Sequence, residues 1–301
     1  MRVFVTGATG TIGLAVSTAF RRAGHQVWGL ARSADKASAL ARAEIHPVLG
    51  DLGNPESFAA VAESCSVLVH AAAEYGSGAF AFERSAVHAL IAAARRRGPQ
   101  PKALIYTSGT WVYGNTGDRL VDETSPVAPL PHVSERPAVE RLVLEAEGVR
   151  GVVLRPGCVY GHQGSLTAMW FEAARGGGTL EVIGDGSDRW ALVHLDDLGR
   201  AYVRAAESGL TGVFNITDRS RSSVREMASA VARVTGHAGG IRATPVADAA
   251  RSMGTLAECL ALDQNVDSRK AVQLLGWQPR HGGFVDEVDE CFEAWKAWNP
   301  R

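Results

Sequence analysis

The sequence has no apolar run of the roughly 20 residues that a membrane-spanning helix requires. Met1 to Phe4 leads directly into a strand-like segment rather than a charged and then apolar leader, so we expect a cytoplasmic protein without a membrane partner. Neither charge sign is in excess, because 31 Lys and Arg residues are balanced by 32 Asp and Glu residues. The one dense basic patch, 95–97, falls at a predicted helix end, where cations suit the helix dipole. Nucleic acid is therefore not an expected partner.

Clustered cysteines are also missing. Cys65, Cys158, Cys259 and Cys291 are scattered, with no Cys-x-x-Cys spacing and no histidine at metal-ligand distance along the chain. This pattern predicts reduced, mostly buried thiols and no metal.

What the first half does contain is a regular alternation of short apolar runs with helix-period segments, which predicts an α/β protein with a Rossmann-type doubly wound parallel sheet. The predicted strands are Arg2 to Thr6, Gln26 to Leu30, His46 to Leu49, Val67 to Ala71, Ala103 to Thr107 and Gly151 to Arg155. The predicted helices are Leu14 to Ala23, Pro55 to Ala62 and Arg84 to Arg96.

Beyond Arg155 the alternation is lost. Helices are predicted at Val224 to Thr235 and Phe284 to Trp298, and a further strand at Gly212 to Ile216 returns to the sheet. We therefore expect a dinucleotide-binding domain of residues 1–157 with a returning segment at about 190–217. Residues 158–189 and 218–301 would form a smaller C-terminal substrate-binding lobe.

Three glycines spaced three apart, Gly7, Gly10 and Gly13, lie between the first strand and the first helix. Such glycines make a tight turn, let backbone N–H groups approach a pyrophosphate, and allow the helix to pack closely on the strand. The segment from Thr6 to Gly13 therefore predicts a dinucleotide site in which Thr9, Thr11 and Ile12 also take part.

The end of the second strand indicates which dinucleotide. An NAD site usually has an acid there, but this chain has Arg32 and Ser33, with Lys36 nearby. Arg32 suits a 2′-phosphate, so NADP(H) is predicted over NAD(H), although a solvated loop arginine is the alternative. Asp51, after the third strand, is placed for the adenine edge or is a simple turn residue.

These features resemble the short-chain dehydrogenase/reductase superfamily, in particular its extended and atypical branch of NAD-dependent epimerase/dehydratase-like proteins. The resemblance runs along nearly the whole chain. It is carried by Thr6 to Gly13, Gly50 to Leu52, His70 to Ala73, Thr107-Ser108, Val112 to Gly114, Asp122-Glu123, Leu154 to Gly157, Val159 to Gly161, His194 to Asp197 and Leu275 to Pro279.

The resemblance implies a cofactor cleft with a small-molecule substrate between it and the C-terminal lobe. Besides the glycine loop, the implied cleft residues are Asp51, Leu52, Ala71, Ala72, Ala73, Thr107, Ser108, Pro156 and Gly157. It also implies a catalytic Ser, a Tyr with a Lys four residues later, and an Asn on a neighbouring helix.

This chain departs from that set at every position. The serine position falls on Gly109, with Ser108 and Thr110 beside it. The tyrosine and lysine positions fall on His132 and Arg136, and the asparagine position falls on Glu83. His132 is a candidate proton donor or a structural histidine, and Arg136 can reach a ribose or phosphate but cannot be deprotonated.

Pro137 restricts where the next helix begins, because proline suits only a first turn. We expect the helix to begin near Ser134 as N-cap, with His132 in the preceding loop. The permanent charge of Arg136 would lower the pKa of a nearby His132. Glu83, Glu135 or a substrate group would be needed to offset that charge.

Other residues have open alternatives. Tyr113 and Tyr160 are expected to pack rather than react, whereas Trp111, Trp170 and Trp190 suit either an apolar substrate pocket or a core. Arg189 would pair with a substrate anion, or with Asp185 or Asp188.

The favoured function is an NADP(H)-dependent oxidoreductase acting on a carbonyl or alcohol of a small, partly apolar metabolite, in a monomer or homodimer. The alternatives are a nucleotide-sugar epimerase or dehydratase, which the altered tetrad disfavours, and a non-catalytic NADP-binding redox sensor.

Overall fold

The computed structural model describes residues 1–73, 79–96, 100–164 and 166–300, so that Arg97 of the basic patch lies outside the described residues. The strands are β1 Arg2–Thr6, β2 Gln26–Ala31, β3 His46–Leu49, β4 Val67–His70, β5 Ala103–Thr107, β6 Arg150–Pro156, β7 Cys158–Tyr160, β8 Leu180–Ile183, β9 Leu192–His194, β10 Gly212–Ile216 and β11 Ile241–Thr244. The α-helices are α1 Thr11–Arg22, α2 Ala34–Arg42, α3 Ala59–Ser64, α4 Ala79–Arg95, α5 Arg136–Leu144, α6 Ala168–Arg175, α7 Leu195–Glu207, α8 Val224–Thr235, α9 Val246–Met253, α10 Leu256–Leu260, α11 Arg269–Leu275 and α12 Val288–Trp298.

A seven-stranded sheet forms the centre, in the order β10-β6-β5-β4-β1-β2-β3. Every pairing in it is parallel. The strand order reverses between β1 and β4, and open parallel sheets bind ligands at such a switch point. The Rossmann-type doubly wound sheet predicted from the sequence is confirmed.

Both faces of the sheet are covered, which explains why its central strands are apolar throughout. One face packs against α1 and α7 through residues such as Val16, Phe20 and Leu198. The other packs against α4 and α5 through residues such as Leu90 and Val139. All five residues of β5 are buried between these layers.

Helix α7 was not predicted from the sequence. Its Gly199 lies against α1, and a Cβ added there would stand 2.8 Å from the Ala19 Cβ and 3.1 Å from the Ala15 carbonyl oxygen. The missing side chain lets the two helices approach closely, so a residue that weakens helix propensity is favoured by packing.

A second apolar core lies outside the sheet and contains Trp170 and Trp190, whose rings stack with centroids 5.6 Å apart. The two-domain division remains a prediction. Ala271, Leu275 and Trp277, which it assigns to the lobe, pack in the core beside the sheet.

The expected N-cap of α5 was wrong. The helix begins at Arg136, close to Ser134 as expected, but Glu135 rather than Ser134 is its N-cap. The Ser134 hydroxyl instead donates to the Pro131 carbonyl, closing a 3₁₀ turn over Pro131–Val133. His132 therefore lies in a hydrogen-bonded turn rather than in an irregular loop, and Pro137 still occupies the first helical turn.

Acid should weaken the fold through His70, at the buried end of β4. Burial, with Arg136 as a smaller cause, lowers the pKa of His70 from 6.5 to about 4. Stability from this group is present above pH 6.5 and is lost as the pH falls toward 4. Between pH 7 and 4.5 its contribution to the unfolding free energy should fall by about 2.5 kcal/mol.

Urea unfolding at these two pH values measures the loss. His70→Gln should shrink the difference by about 2.5 kcal/mol, whereas His88→Gln, at an exposed position of α4, should leave it unchanged. An equal pH dependence in wild type and His70→Gln would refute this assignment.

Candidate functional site

A cleft of about 630 Å³ lies where the carboxyl ends of the central strands meet α9 and α10. Its walls are mostly apolar. They are formed by Ile12, Ala71, Ala72, Ala73, Thr107, Ser108, Gly109, Thr110, Trp111, His132, Val133, Arg136, Pro156, Gly157, Cys158, Val159, Leu166, Met253 and Leu256. The structure thus brings one part of the predicted site to this cavity: Ile12, Ala71 to Ala73, Thr107, Ser108, Thr110, His132, Arg136, Pro156 and Gly157.

The glycine loop enters this cleft from β1. Gly7 has φ +69°, and a Cβ there would lie 2.5 Å from the Ala71 carbonyl oxygen. A Cβ on Gly13 would lie 2.0 Å from the Gly7 carbonyl oxygen. Gly10 caps α1 without any side-chain acceptor. The first N–H groups of the helix therefore have no side-chain partner at the cap and can serve an anionic ligand, and Ile12 of the same turn lines the cleft.

The predicted adenine-end residues lie beyond β2 and β3. Arg32 is exposed directly after β2, and Ser33 is the N-cap of α2, where its Oγ accepts from the Lys36 backbone N–H at 3.4 Å. Asp51 accepts from the Gly53 N–H at 2.7 Å, in a turn. Leu52 packs against the core cluster next to α4. Asp51 therefore acts as a turn residue, which was one of its two alternatives. The residue is exposed, so the other alternative, contact with an adenine edge, stays open.

The hydroxyl groups around β5 are hydrogen-bonded to the protein. Thr107 Oγ1 donates to the His70 carbonyl at 2.7 Å and lies 2.6 Å from the Tyr202 hydroxyl. Ser108 Oγ donates to Glu140 Oε1 at 2.5 Å. Thr110 Oγ1 donates to Gln264 Oε1 at 3.0 Å. The protons of all three hydroxyl groups are therefore directed away from a ligand.

Glu140 belongs to a buried network that the sequence did not reveal. Its carboxylate accepts from Arg155 Nε at 2.9 Å and from Arg155 Nη2 at 2.5 Å. Arg155 Nη1 also donates to the Tyr113 hydroxyl, which donates to Asn215 Oδ1 at 2.9 Å. Burial raises the pKa of the Tyr113 hydroxyl. Tyr113 is therefore structural, as expected, and lies behind the cleft.

His132 and Arg136 both line the cleft. Arg136 Nη1 donates to the Thr107 carbonyl at 2.9 Å. A hydrogen bond of 3.2 Å joins His132 Nδ1 to Thr255 Oγ1, just before α10. Burial lowers the pKa of His132, and the charge of Arg136 lowers it further. The direction matches the expectation, but burial is the larger cause.

The acids considered as partners for His132 have other contacts. Glu83 accepts from the Tyr106 hydroxyl at 2.6 Å. Glu135 Oε2 lies 3.9 Å from Arg84 Nη1.

Of the two alternatives left open for the tryptophans, core packing holds for Trp170 and Trp190, which lie in the second apolar core. Trp111 alone of the three lines the cleft among the described residues. The expected partners of Arg189 were wrong. Arg189 pairs with neither Asp185 nor Asp188. Its Nε and Nη2 bind Asp263 at 2.8 and 2.6 Å, and Nη2 also contacts Asp118. The sequence could not predict this partner, because Asp263 lies 74 residues away along the chain.

A histidine cluster lies at the start of α7. Ligand atoms of His194, Asp196 and His281 lie within 4.8 Å of one another. The rings of His194 and His281 stack with centroids 3.5 Å apart and planes inclined by 18°. Ring nitrogens bind metals in the ring plane at about 2 Å, and two nearly parallel planes share no such point. The cluster is arranged for packing rather than for a metal.

Comparison with known proteins identifies the family. Residues 3–217 match the NAD dependent epimerase/dehydratase family. The chain belongs to this family. The match confirms the resemblance inferred from the motifs, and the family cofactor is a nicotinamide dinucleotide, which the uncapped α1 N-terminus and the glycine loop fit. No helix among the described residues is long and apolar enough to cross a membrane.

Three similar proteins span nearly the whole chain. A 3-diazoavenalumate denitrifying reductase from a Streptomyces species is 29% identical, over 95% of this chain and 98% of that protein. The Thermus thermophilus UDP-glucose 4-epimerase complex with NAD superposes with a TM-score of 0.83 at 22% identity, over 98% and 99% of the two chains. Human epimerase family protein SDR39U1 (isoform 2) with NADPH superposes with a TM-score of 0.80 at 23% identity, over 97% of this chain and 99% of that chain.

The buried Glu140–Arg155 pair yields a stability prediction. Glu140→Ala leaves an uncompensated buried cation, which should lower the unfolding free energy by about 3–5 kcal/mol. Arg155→Met added to Glu140→Ala should recover part of this loss, because it removes that cation.

Urea denaturation of the two variants measures the effect. Glu293→Ala, which breaks the exposed Glu293–Lys296 pair, should cost less than about 1 kcal/mol. If Glu140→Ala costs no more than Glu293→Ala, the pair does not anchor this region.

Proposed function

We propose that this protein is an NADP(H)-dependent oxidoreductase that reduces a carbonyl group, or oxidises the matching alcohol, of a small and partly apolar metabolite. The observation that supports it best is the cleft itself. Its walls are mostly apolar, and Arg136 is the one permanent charge among the described residues that line it. When bound, the dinucleotide supplies the hydride.

The character of the cleft argues against a nucleotide-linked sugar. Such a substrate brings a diphosphate, which needs several charge-assisted donors. Arg189, the lobe arginine considered for this task, is held by Asp263 and does not line the cleft. The relative named as a 3-diazoavenalumate denitrifying reductase, which aligns over 98% of its length, supports a reduction as the reaction type, although its named substrate carries a diazo group.

His132 is the proposed proton donor. It lines the cleft beside Trp111 and Arg136, and Thr255 fixes one of its ring nitrogens. The Cys158 thiol also lines the cleft, but burial raises its pKa to about 12 and keeps it protonated. Arg136 would hold the ribose or a phosphate, and its contact with the Thr107 carbonyl ties it to the end of β5. Ser108 and Thr110 would shape the cleft, because each already donates its hydroxyl proton to the protein.

The remaining cofactor residues are those predicted from the sequence. The predicted site comprises Gly7, Thr9, Gly10, Thr11, Ile12 and Gly13 for the pyrophosphate, Arg32, Ser33, Asp51 and Leu52 for the adenosine, and Ala71 to Ala73, Pro156 and Gly157 near the nicotinamide. Cytoplasmic location and a monomeric or homodimeric state remain predictions.

Arg32→Ala should erase most of a preference for NADPH over NADH. Charge-assisted pairing with the 2′-phosphate contributes about 1.5–3 kcal/mol, so wild type should bind NADPH at least about tenfold more tightly. Isothermal titration calorimetry with each cofactor measures the preference.

Arg42→Ala, at the exposed end of α2, is the matched control and should retain the preference. Equal or tighter binding of NADH by the wild type would overturn the NADP(H) assignment.

His132→Gln should lower kcat for carbonyl reduction by about a hundredfold with the NADPH dissociation constant unchanged, if the imidazolium supplies the proton. Since the pKa of His132 lies below 6.5, the wild-type rate should fall as the pH rises through that lowered value. Steady-state kinetics from pH 5 to 8 would show this limb, and His132→Gln should flatten it.

His88→Gln serves as the control and should keep both the rate and the profile. A loss below about threefold in His132→Gln, roughly 0.65 kcal/mol, would mean that water or the substrate provides the proton.

A non-catalytic redox sensor is the second candidate. The observation in its favour is that Thr107, Ser108 and Thr110 all direct their hydroxyl protons into the protein. NADPH oxidation against a panel of apolar aldehydes and ketones separates the two functions, because a sensor binds the cofactor and consumes none.

A further inference from the structure

A side chain from beyond β7 reaches the glycine loop. Gln163 Nε2 donates a hydrogen bond of 2.7 Å to Thr11 Oγ1, across 152 residues of sequence. Thr11 is the first residue of α1, which has no side-chain cap, and the next residue, Ile12, lines the cleft. The contact therefore joins the segment that follows β7 to the place where a dinucleotide binds its pyrophosphate.

The backbone around Gln163 has an uncommon shape. Gly161, His162 and Gly164 have φ values of +95°, +51° and +83°. A non-glycine residue in the left-handed region costs roughly 1–2 kcal/mol, so surrounding contacts must hold it. His162 has such a contact, since its Nε2 lies 3.0 Å from Asp196 Oδ1.

Packing also fixes this turn. A Cβ on Gly161 would lie 2.3 Å from His194 Nε2, and one on Gly164 would lie 2.5 Å from the Ala168 Cβ. No other residue type fits either position without displacement. The turn therefore presents Gln163 to α1 in a set direction.

The other side of the turn is tied to the C-terminal helix. Asn299 Nδ2 donates to the Trp295 carbonyl at 2.8 Å and, at 3.4 Å, to the Gln163 carbonyl. Arg175 Nη1 donates to the Asn299 carbonyl at 2.9 Å. Gln163 is thus supported from α6 and α12 while its side chain spans to α1.

We propose that Gln163 is a cofactor-retention residue that closes the pyrophosphate end of the cleft. A glutamine amide carries two N–H donors, and Thr11 takes one of them, so the second serves an anion bound at the α1 N-terminus. The inference rests on the proposed function only in that a dinucleotide occupies this cleft. It needs neither His132 nor a particular substrate.

Retention predicts a kinetic signature. A contact that forms over a docked ligand slows its departure more than it speeds its arrival. Gln163→Ala should therefore accelerate NADPH dissociation about five- to tenfold, the effect of one hydrogen bond, and leave association within about twofold. Gln163→Glu should accelerate dissociation further, because a carboxylate repels the pyrophosphate.

Stopped-flow fluorescence of NADPH measures both rates without substrate. Mixing the protein with NADPH gives the association rate, and displacing bound NADPH with excess NADP⁺ gives the dissociation rate. Gln273→Ala, the same substitution at an exposed position of α11, should match wild type. Thermal melting checks the fold of each variant. If Gln163→Ala does not fold, Gln163→Asn, which shortens the side chain by one methylene, decides the question.

The loss of one hydrogen bond should change the NADPH dissociation rate by about fivefold. A dissociation rate within about 1.5-fold of wild type, in Gln163→Ala or in Gln163→Asn if that variant replaces it, would overturn the retention role. The proposed function would stay intact. Failure of the wild type to bind either NADPH or NADH would instead overturn the proposed function, and this role with it.

Discussion

The arrangement of the cleft depends on one buried carboxylate. Glu140 lies on α5, one helical turn beyond Arg136, and its two oxygens accept from Ser108 at the end of β5 and from Arg155 on β6. Residues four apart lie on the same helix face. Anchoring Glu140 to two strand ends therefore places the first turn of α5, with Arg136, at the carboxyl edge of the sheet. The preceding 3₁₀ turn brings His132 to the same edge.

The contacts of Glu140 also explain why the polar side chains near the cleft do not form the Ser, Tyr and Lys set that the family resemblance implies. Ser108 donates to Glu140 rather than to a ligand, and the Tyr113 hydroxyl lies in the same network behind the cleft wall. What remains for chemistry is a titratable imidazole next to a permanent cation. Burial and Arg136 both favour its neutral form, as the lowered pKa of His132 shows. A reaction in which the cofactor carries the difficult step tolerates such a donor better than one that needs a strong base.

Much of the fold could be predicted because its signals are local. All seven strands of the sheet were predicted within one residue of their observed bounds at each end. The glycine spacing placed the loop correctly because each close approach excludes a Cβ. Helix α7 was not predicted, although its buried residues recur at helical spacing, and the glycine within it is explained only by packing on α1.

The site was harder to predict because its contacts are distant in sequence. Ser134 was expected to cap α5, yet its hydroxyl closes a turn onto Pro131. The partner of Arg189 proved to be Asp263, and Thr255 reaches His132 across 123 residues. Side chains so far apart are brought together by the tertiary fold alone, so sequence spacing carries no signal for them.

We propose that this cleft passes a hydride between a nicotinamide and a substrate carbonyl. Incubating the protein with NADPH deuterated at C4, in both stereochemical forms, and a panel of apolar ketones and aldehydes tests it most directly by mass spectrometry of the products. We expect one deuterium on the new carbinol carbon from one of the two forms. Tight NADPH binding with no labelled product from any carbonyl compound, or interconversion of a nucleotide sugar instead, would contradict it.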